Sequence, residues 1–241
     1  TTAAVLPQRP CDTWRLVVSA DAPGPRKRRF LPPRCSLYTR GVKKMGLPAI
    51  KDDRVYRYGD YRTWPDDERW ELIDGVAYDM SPAPSTAHQA ISTELVSAIR
   101  SFIGKGGCRV FAAPFDVLLP DSADQPDDDV SSVVQPDLAV ICDPSKIRSF
   151  GCVGAPEWVI EILSPYTSRR DLAEKHALYE RHGAKEYWVI DPGNRYVHVY
   201  LLGDNGRYLK PMLHVGAATV KSTICAGFEI RLEELFSAIP A

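Results

Sequence analysis

The feature that most constrains this chain is residues 156–192, where the pattern predicts a strand, a helix and a second strand. Residues 157–163 read EWVIEIL, a β-branched and aromatic content typical of a buried strand. Side chains alternate between the two faces of a strand, so Glu161 points from an apolar strand into a covered region. A buried carboxylate needs a cation, a metal or a proton, which makes Glu161 a candidate site residue. One face carries Val159, Glu161 and Leu163, and the other carries Trp158, Ile160 and Ile162.

The helix that follows supplies a candidate partner for this carboxylate. From residue 168 to residue 182, one helical face is predicted to carry Leu172, Lys175, Leu178 and Tyr179. A lysine on an apolar helix face is unusual. Either its stem packs while its ammonium reaches solvent, or the ammonium reaches Glu161.

Length and composition bound the class of protein. With 241 residues and 44% hydrophobic content, the chain can bury a full core. No run of 18 apolar residues occurs and the first residues lack the apolar segment of a signal peptide, so we expect a soluble cytoplasmic protein. The six cysteines form no CxxC pair, and we expect reduced, mostly buried thiols rather than a zinc site or disulfides.

Charge is distributed unevenly along the chain. Residues 1–44 contain ten Lys or Arg and two Asp, a net charge of +8, which leaves −9 for residues 45–241. The first segment is also rich in Pro and lacks hydrophobic periodicity, so we interpret it as a basic extension, with a poorly ordered tail favoured over a phosphate-binding arm. Residues 45–241 form the expected domain. Its negative charge argues against strong non-specific DNA binding unless a local basic groove exists.

Two local signals precede the central stretch. Strand-like runs at 69–73 and 76–80 flank Asp74-Gly75, the pair that suits a two-residue hairpin turn. Glu71 lies in the first run and, from this pattern alone, is a surface carboxylate. Residues 85–103 have helical spacing with Ser85 as the N-cap. His88 lies in the first turn of this helix. The pattern is compatible with a surface histidine and with a residue that contacts substrate.

The region between this helix and residue 156 predicts two strands and an acidic loop. Residues 108–120 resemble a strand, and residues 121–132 a solvated acidic loop without the pattern of a calcium site. Residues 133–142 are predicted to form one apolar strand with Asp137 at its head, a second buried-carboxylate candidate. Beyond residue 192 we expect further strands and a short closing helix over residues 232–238.

Six segments in this order resemble the Uma-type family of restriction-endonuclease-like proteins, within the PD-(D/E)XK nuclease superfamily. The resemblance spans about residues 58–236. The segments are WELIDG at 70–75, the helix start with His88, QPDLAV at 135–140, APEWVIEILSP at 155–165, RDLAEKHALYERHGAKEYWVIDP at 170–192 and GFEIRLEELF at 227–236.

The resemblance implies an α/β fold with a restriction-endonuclease-like core: a mixed central β-sheet flanked by helices, with additional strands after the core. It also implies a metal-dependent DNA endonuclease. Asp137, Glu161 and the main-chain carbonyl of Ile162 would hold Mg²⁺ or Mn²⁺, and Glu71 would join the catalytic residues. The superfamily normally places its lysine two residues after the acid, where this chain has Leu163.

Lys175 on the following helix fits the arrangement of the Uma-type family, in which the lysine has moved. The resemblance therefore predicts that the side-chain tips of Asp137, Glu161 and Lys175 border one metal-sized space, about 3 to 7 Å apart. Lys175 would orient a water or stabilise developing charge. Single-site nucleases often pair to cut both strands, so a homodimer is an expectation that the sequence leaves open.

Two other classes of function are compatible with these residues. A catalytically inactive module on the same fold would bind nucleic acid or protein, and the acidic domain and Leu163 favour it. A carbohydrate or small-molecule hydrolase would use Asp137 and Glu161 as acid and base, but Lys175 has no clear role in it. A divalent-metal titration separates these classes from the nuclease.

Deleting residues 1–44 is expected to change the free energy of unfolding of the remaining domain by less than about 1 kcal/mol, because a segment outside the core contributes little. Urea denaturation of the full chain and of residues 45–241 measures the difference. A larger loss would mean that the segment packs as part of the fold.

Overall fold

The computed structural model describes residues 50–65, 67–80, 83–104, 106–164 and 171–240, except for the side chains of residues 171 and 172. The expected basic extension and the expected start of the helix at 168–170 lie outside these ranges. The helices are α1 (Tyr58–Tyr61), α2 (Thr86–Ile103), α3 (His176–Arg181) and α4 (Leu232–Ser237). A π-helical turn, Asp171–Lys175, precedes α3, and 3₁₀ turns occur at Asp127–Asp129 and Pro144–Lys146.

The described strands are numbered in chain order. The first eight are β1 (Trp70–Ile73), β2 (Val76–Asp79), β3 (Arg109–Ala112), β4 (Asp116–Leu118), β5 (Val133–Val134), β6 (Leu138–Ile141), β7 (Ile147–Arg148) and β8 (Gly151–Val153). The remaining six are β9 (Trp158–Ile162), β10 (Glu186–Asp191), β11 (Tyr196–Leu201), β12 (Met212–Val215), β13 (Thr219–Lys221) and β14 (Glu229–Arg231).

Most of these strands form two six-stranded sheets. The central sheet has the order β12-β11-β10-β9-β6-β3, with β9 and β10 parallel and the other neighbours antiparallel. The second sheet has the order β2-β1-β5-β4-β8-β7. Strands β13 and β14 form a separate antiparallel pair. The predicted mixed α/β architecture, with additional strands after the core, is confirmed.

The two faces of the central sheet are covered differently, and this difference positions the site. Helices α2 and α4 pack on the face of β9 that carries Trp158, Ile160 and Ile162. The opposite face, with Val159 and Leu163, packs against α3 and the second sheet. The predicted alternation along β9 is therefore confirmed, and Glu161 lies on the face between the two sheets.

Local sequence chemistry accounts for the hairpin and for the start of α2. Asp74 and Gly75 have positive φ values of 50° and 80°, as a two-residue turn between antiparallel strands requires. The Ser85 side chain accepts a hydrogen bond of 3.2 Å from the main-chain N–H of His88 and caps α2. Both predictions are confirmed, as is the short closing helix α4.

Residues 133–142 do not form one strand, and this prediction is wrong. Strand β5 pairs in the second sheet, whereas β6 pairs in the central sheet. Residues 135–137 cross from one sheet to the other. Pro136 has no main-chain N–H to donate, so a continuous ladder through this position is unfavourable. The strand expected over residues 108–120 is likewise divided into β3 and β4.

A disulfide joins Cys108 to Cys142, so the prediction that these thiols are reduced is wrong. The antiparallel pairing of β3 with β6 ends at Arg109 and Ile141, and the next residue of each strand is a cysteine. No local pattern in the sequence shows this pairing, because it follows from the register. Cys152 and Cys225 are buried free thiols, as expected, and burial raises the pKa of Cys152 to about 12.

Across the described ranges, no helix combines the length and apolar content that crossing a membrane requires.

Reduction of the disulfide is expected to lower the free energy of unfolding by about 3 kcal/mol, because the bond closes a loop and restricts the unfolded chain. Urea denaturation with and without a phosphine reductant measures the loss. The double variant Cys108→Ala/Cys142→Ala is the control and should not respond to the reductant. An equal response of wild type and double variant would contradict the role of this bond.

Candidate active site

A cavity of about 700 Å³ is bordered by the end of β9, the start of α2 and the segment between β5 and β6. Four of the residues selected from the sequence border it: Asp137, Glu161, Ile162 and Lys175. Asp137, Glu161 and Lys175 therefore border one space. Glu71 is not among the described lining residues and contacts the site through Lys175.

Lys175 is held inside the protein by two carboxylates. Its Nζ lies 2.8 Å from Glu71 Oε1 and 2.9 Å from Glu161 Oε1, and the residue is 2% exposed. The interpretation in which this ammonium reaches solvent is wrong. Lys175 is the last residue of the π-helical turn before α3, a distortion that is frequent at functional sites. A buried ammonium stays charged most easily beside anions, so the two glutamates favour the protonated lysine.

Glu71 is fully buried, so the expectation of a surface carboxylate is wrong. Its Oε1 accepts a 2.9 Å hydrogen bond from the main-chain N–H of Gln135, in addition to the ion pair with Lys175. The hydrogen bond joins residues that are 64 positions apart. The alternation along β1 shows only which face Glu71 occupies, and the pairing of the sheets decides that this face is covered.

Asp137 is held by a main-chain donor and by a histidine. Its Oδ2 accepts a 2.7 Å hydrogen bond from the N–H of Ile162 and lies 3.0 Å from His88 Nε2. The antiparallel pairing of β6 with β9, in which Leu138 faces Ile160, brings the start of one strand beside the end of the other. The carboxylate therefore has a fixed orientation at the border of the cavity.

His88 is a site residue that the sequence did not distinguish from a surface histidine. It is 7% exposed and borders the cavity. Its Nδ1 is buried and has no hydrogen-bond partner among the described residues. The available signal was helical phase, because His88 lies three residues before Ile91 and shares the buried face of α2 with it.

Tyr179 was predicted only as a packing residue, and it also contacts the site. Its hydroxyl donates a 2.8 Å hydrogen bond to Glu161 Oε1, the oxygen that also faces Lys175. Burial, followed by the nearby carboxylates, raises the pKa of Tyr179 well above its usual value. The phenol thus remains a hydrogen-bond donor and helps to fix the Glu161 side chain.

The donor atoms at this cavity suit a hard cation. Asp137 and Glu161 border the same space with carboxylate side chains, and Ile162 lines it as well. Oxygen ligands of this kind are those that Mg²⁺ and Mn²⁺ prefer. The part of the chain that the structure describes contains no group of three or more His, Cys, Asp or Glu arranged to hold a metal ion. A cation here would therefore depend on two carboxylates and on ligands other than these side chains.

Comparison with known structures identifies the class of fold. The chain is similar to a crystal structure of a "putative nuclease belonging to DUF820" from Anabaena variabilis, with a TM-score of 0.60 and 23% identity over 75% of this chain and 97% of that one. The fold is therefore restriction-endonuclease-like. Residues 58–233 match the Uma2 family, described as "Putative restriction endonuclease", and the chain belongs to this family. An uncharacterized protein from Synechocystis sp. is 25% identical over 153 residues, 62% of this chain and 76% of its own length.

Replacing Lys175 by methionine is expected to destabilise the protein by about 3–5 kcal/mol, because two buried carboxylates lose their shared cation. Adding Glu71→Gln removes one negative charge and should recover part of the loss. The matched control is Lys221→Met, whose ion pair with Glu229 is exposed and whose loss should cost less than about 0.5 kcal/mol. Urea denaturation measures all three, and equal costs for the two lysines would contradict the buried ion pair.

Proposed function

We propose that this chain is a metal-dependent endonuclease that hydrolyses phosphodiester bonds of DNA. The observation that carries the proposal is the convergence of Asp137, Glu161 and Lys175 on one cavity, with the lysine fixed by buried carboxylates. Membership of a family described as "Putative restriction endonuclease" supports the reaction class. A fixed ammonium, together with a cation held by the acidic pair, would suit a substrate that carries negative charge and gains more in the transition state.

Asp137, Glu161 and the carbonyl of Ile162 would hold Mg²⁺ or Mn²⁺. When bound, the ion would polarise the phosphodiester and lower the pKa of a water molecule. The hydrogen bonds from the Ile162 N–H and from His88 keep Asp137 oriented for this task. We assign His88 as a positioning residue, because its Nε2 contacts the carboxylate of Asp137.

Lys175 would stabilise the negative charge that develops on the phosphate oxygens. Lys175 borders the cavity and its Nζ is held by Glu71 and Glu161, and a preorganised cation needs no rearrangement during the reaction. Glu71 contacts Lys175 from behind the cavity, which favours a role in holding the lysine over a role as ligand to a second metal. Tyr179 supports the same arrangement through Glu161.

Two exposed arginines at the rim support DNA as the substrate. Arg69 and Arg100 border the cavity and place positive charge beside it in a domain of negative net charge. Such residues suit contacts with a phosphate backbone, which supply most of the affinity of proteins for DNA. A catalytically inactive binding module on the same fold is the alternative that the following experiment separates.

We expect Asp137→Asn to weaken binding of Mg²⁺ or Mn²⁺, because it removes an anionic oxygen ligand. Lys175→Ala should leave metal binding intact or slightly stronger, because it removes a competing cation. Both should reduce cleavage about 100-fold or more, the usual effect of deleting one preorganised electrostatic contact. Calorimetric metal titration and a plasmid nicking assay measure the two effects.

The control for both assays is Lys221→Ala, which changes an exposed lysine outside the cavity. If Lys175→Ala cuts plasmid as well as wild type does, another residue carries the charge-stabilising role. If wild type binds no divalent metal and cuts nothing, the binding module replaces the nuclease.

A further inference from the structure

A second cavity of about 390 Å³ adjoins the candidate active site. The two cavities share three lining residues: Arg69, Pro114 and Gln135. Its volume lies in the range of pockets for small organic ligands, about 300–1,000 Å³. The residues that border only this second cavity include four aromatic residues, and the proposed reaction does not use them.

Aromatic rings form one side of this second cavity. Tyr61, Trp64 and Trp70 border it, with ring centroids 5.5 Å apart for the first pair and 6.0 Å apart for the second. Lys51 holds the two indoles, since its Nζ lies 4.6 Å and 4.4 Å from their centroids, and it does not itself line the cavity. The aromatic side is thus fixed in position before any ligand arrives. The rings are inclined to one another by 55° and 75°, so a base stacks on the face of one ring, and such stacking accepts nucleobases of any identity.

A polar cluster forms another side of the cavity. Asp116 Oδ1 accepts hydrogen bonds of 3.0 Å from the Tyr61 hydroxyl and 2.8 Å from Gln135 Nε2. The hydrogen bonds of this carboxylate to described residues end on Oδ1, which leaves Oδ2 to accept from an incoming N–H. Burial raises the pKa of Asp116, so a further donor would stabilise its charged form. The exocyclic amino group of a nucleobase is such a donor.

Gln135 connects the two cavities. Its main-chain N–H donates to Glu71 Oε1 at 2.9 Å, and its side-chain amide contacts Asp116. Its Oε1 accepts a 3.0 Å hydrogen bond from Arg69, the exposed arginine at the shared rim. A nucleotide whose base enters the second cavity would therefore have its phosphate near Arg69 and beside the acidic site.

We propose that the second cavity binds one unpaired nucleobase of the strand presented to the active site, with a preference for bases that carry an exocyclic amino group. The base stacks on the aromatic side and donates its amino N–H to Asp116. Thymine carries a carbonyl oxygen where cytosine has its amino group and would have to turn its ring N–H to the carboxylate instead, so it binds more weakly. The proposal rests on the proposed function for the identity of the ligand, but not on cleavage.

The test uses the full chain in EDTA, so that binding is measured without cleavage. The probes are short fluorescein-labelled single strands of deoxycytidine, of deoxythymidine, and of abasic deoxyribose phosphate that carries no base at any position. Fluorescence anisotropy gives the dissociation constants. Wild type should bind the complete deoxycytidine strand about tenfold or more tightly than the other two strands.

Two variants remove the two halves of the recognition. Trp64→Leu should weaken binding of the deoxycytidine strand about tenfold and leave binding of the abasic strand unchanged. Asp116→Asn should abolish the preference for deoxycytidine over deoxythymidine, because an asparagine amide can both accept and donate. Phe102→Leu is the matched control, an exposed aromatic residue that lines neither cavity. Thermal unfolding checks each variant, and if Trp64→Leu does not fold, the conservative Asp116→Asn decides.

Wild type that binds the abasic strand as tightly as the complete strand overturns the proposal, as does a folded Trp64→Leu or Asp116→Asn that behaves like wild type. The proposed function fails separately. Base-dependent binding without metal-dependent cutting keeps the nucleobase site and refutes the nuclease. Metal-dependent cutting by a protein that binds the abasic strand as tightly as the complete strand keeps the nuclease and refutes the nucleobase site.

Discussion

The ion pairs of Lys175 with Glu71 and Glu161 join three parts of the fold in one contact. Glu161 belongs to the central sheet, Glu71 belongs to the second sheet, and the lysine precedes α3, which packs between them. Charges buried in this way stabilise a protein only when every partner is present, because a single buried charge is costly. The contact therefore ties the relative arrangement of both sheets and the helix to the integrity of the site.

The segment in which the chain crosses from β5 to β6 contributes further polar groups to this site. Residues 135–137 supply the main-chain donor to Glu71, the amide that contacts Asp116, and the carboxylate of Asp137. Gln135 and Asp137, on either side of Pro136, thus reach three different groups from a segment that leaves one sheet and enters the other. Irregular backbone held by sheets on both sides is a common setting for binding residues.

The sequence predicted the parts of this arrangement that depend on local chemistry. The two-residue period of a strand predicts on which face of β9 Glu161 lies. The helical period predicts that Lys175, only 14 residues later in the sequence, points inward. Glu71, His88 and the disulfide were misjudged or left open because their surroundings come from pairings between distant segments, which periodicity does not contain. Pro136 was evidence in the sequence that residues 133–142 are not one strand, because proline has no main-chain N–H for a strand ladder. The family resemblance supplied the remaining link, since it associated the early glutamate with the acid and the lysine.

The enclosure of Lys175 also has an entropic consequence. A lysine side chain on a protein surface samples many rotamers, and fixing it in one geometry costs about 2 kcal/mol. In this fold the side chain is ordered by Glu71 and Glu161 as the chain folds. A negatively charged group that enters the cavity therefore meets an ammonium whose conformational freedom is already lost, and its association carries no further entropy cost from this residue.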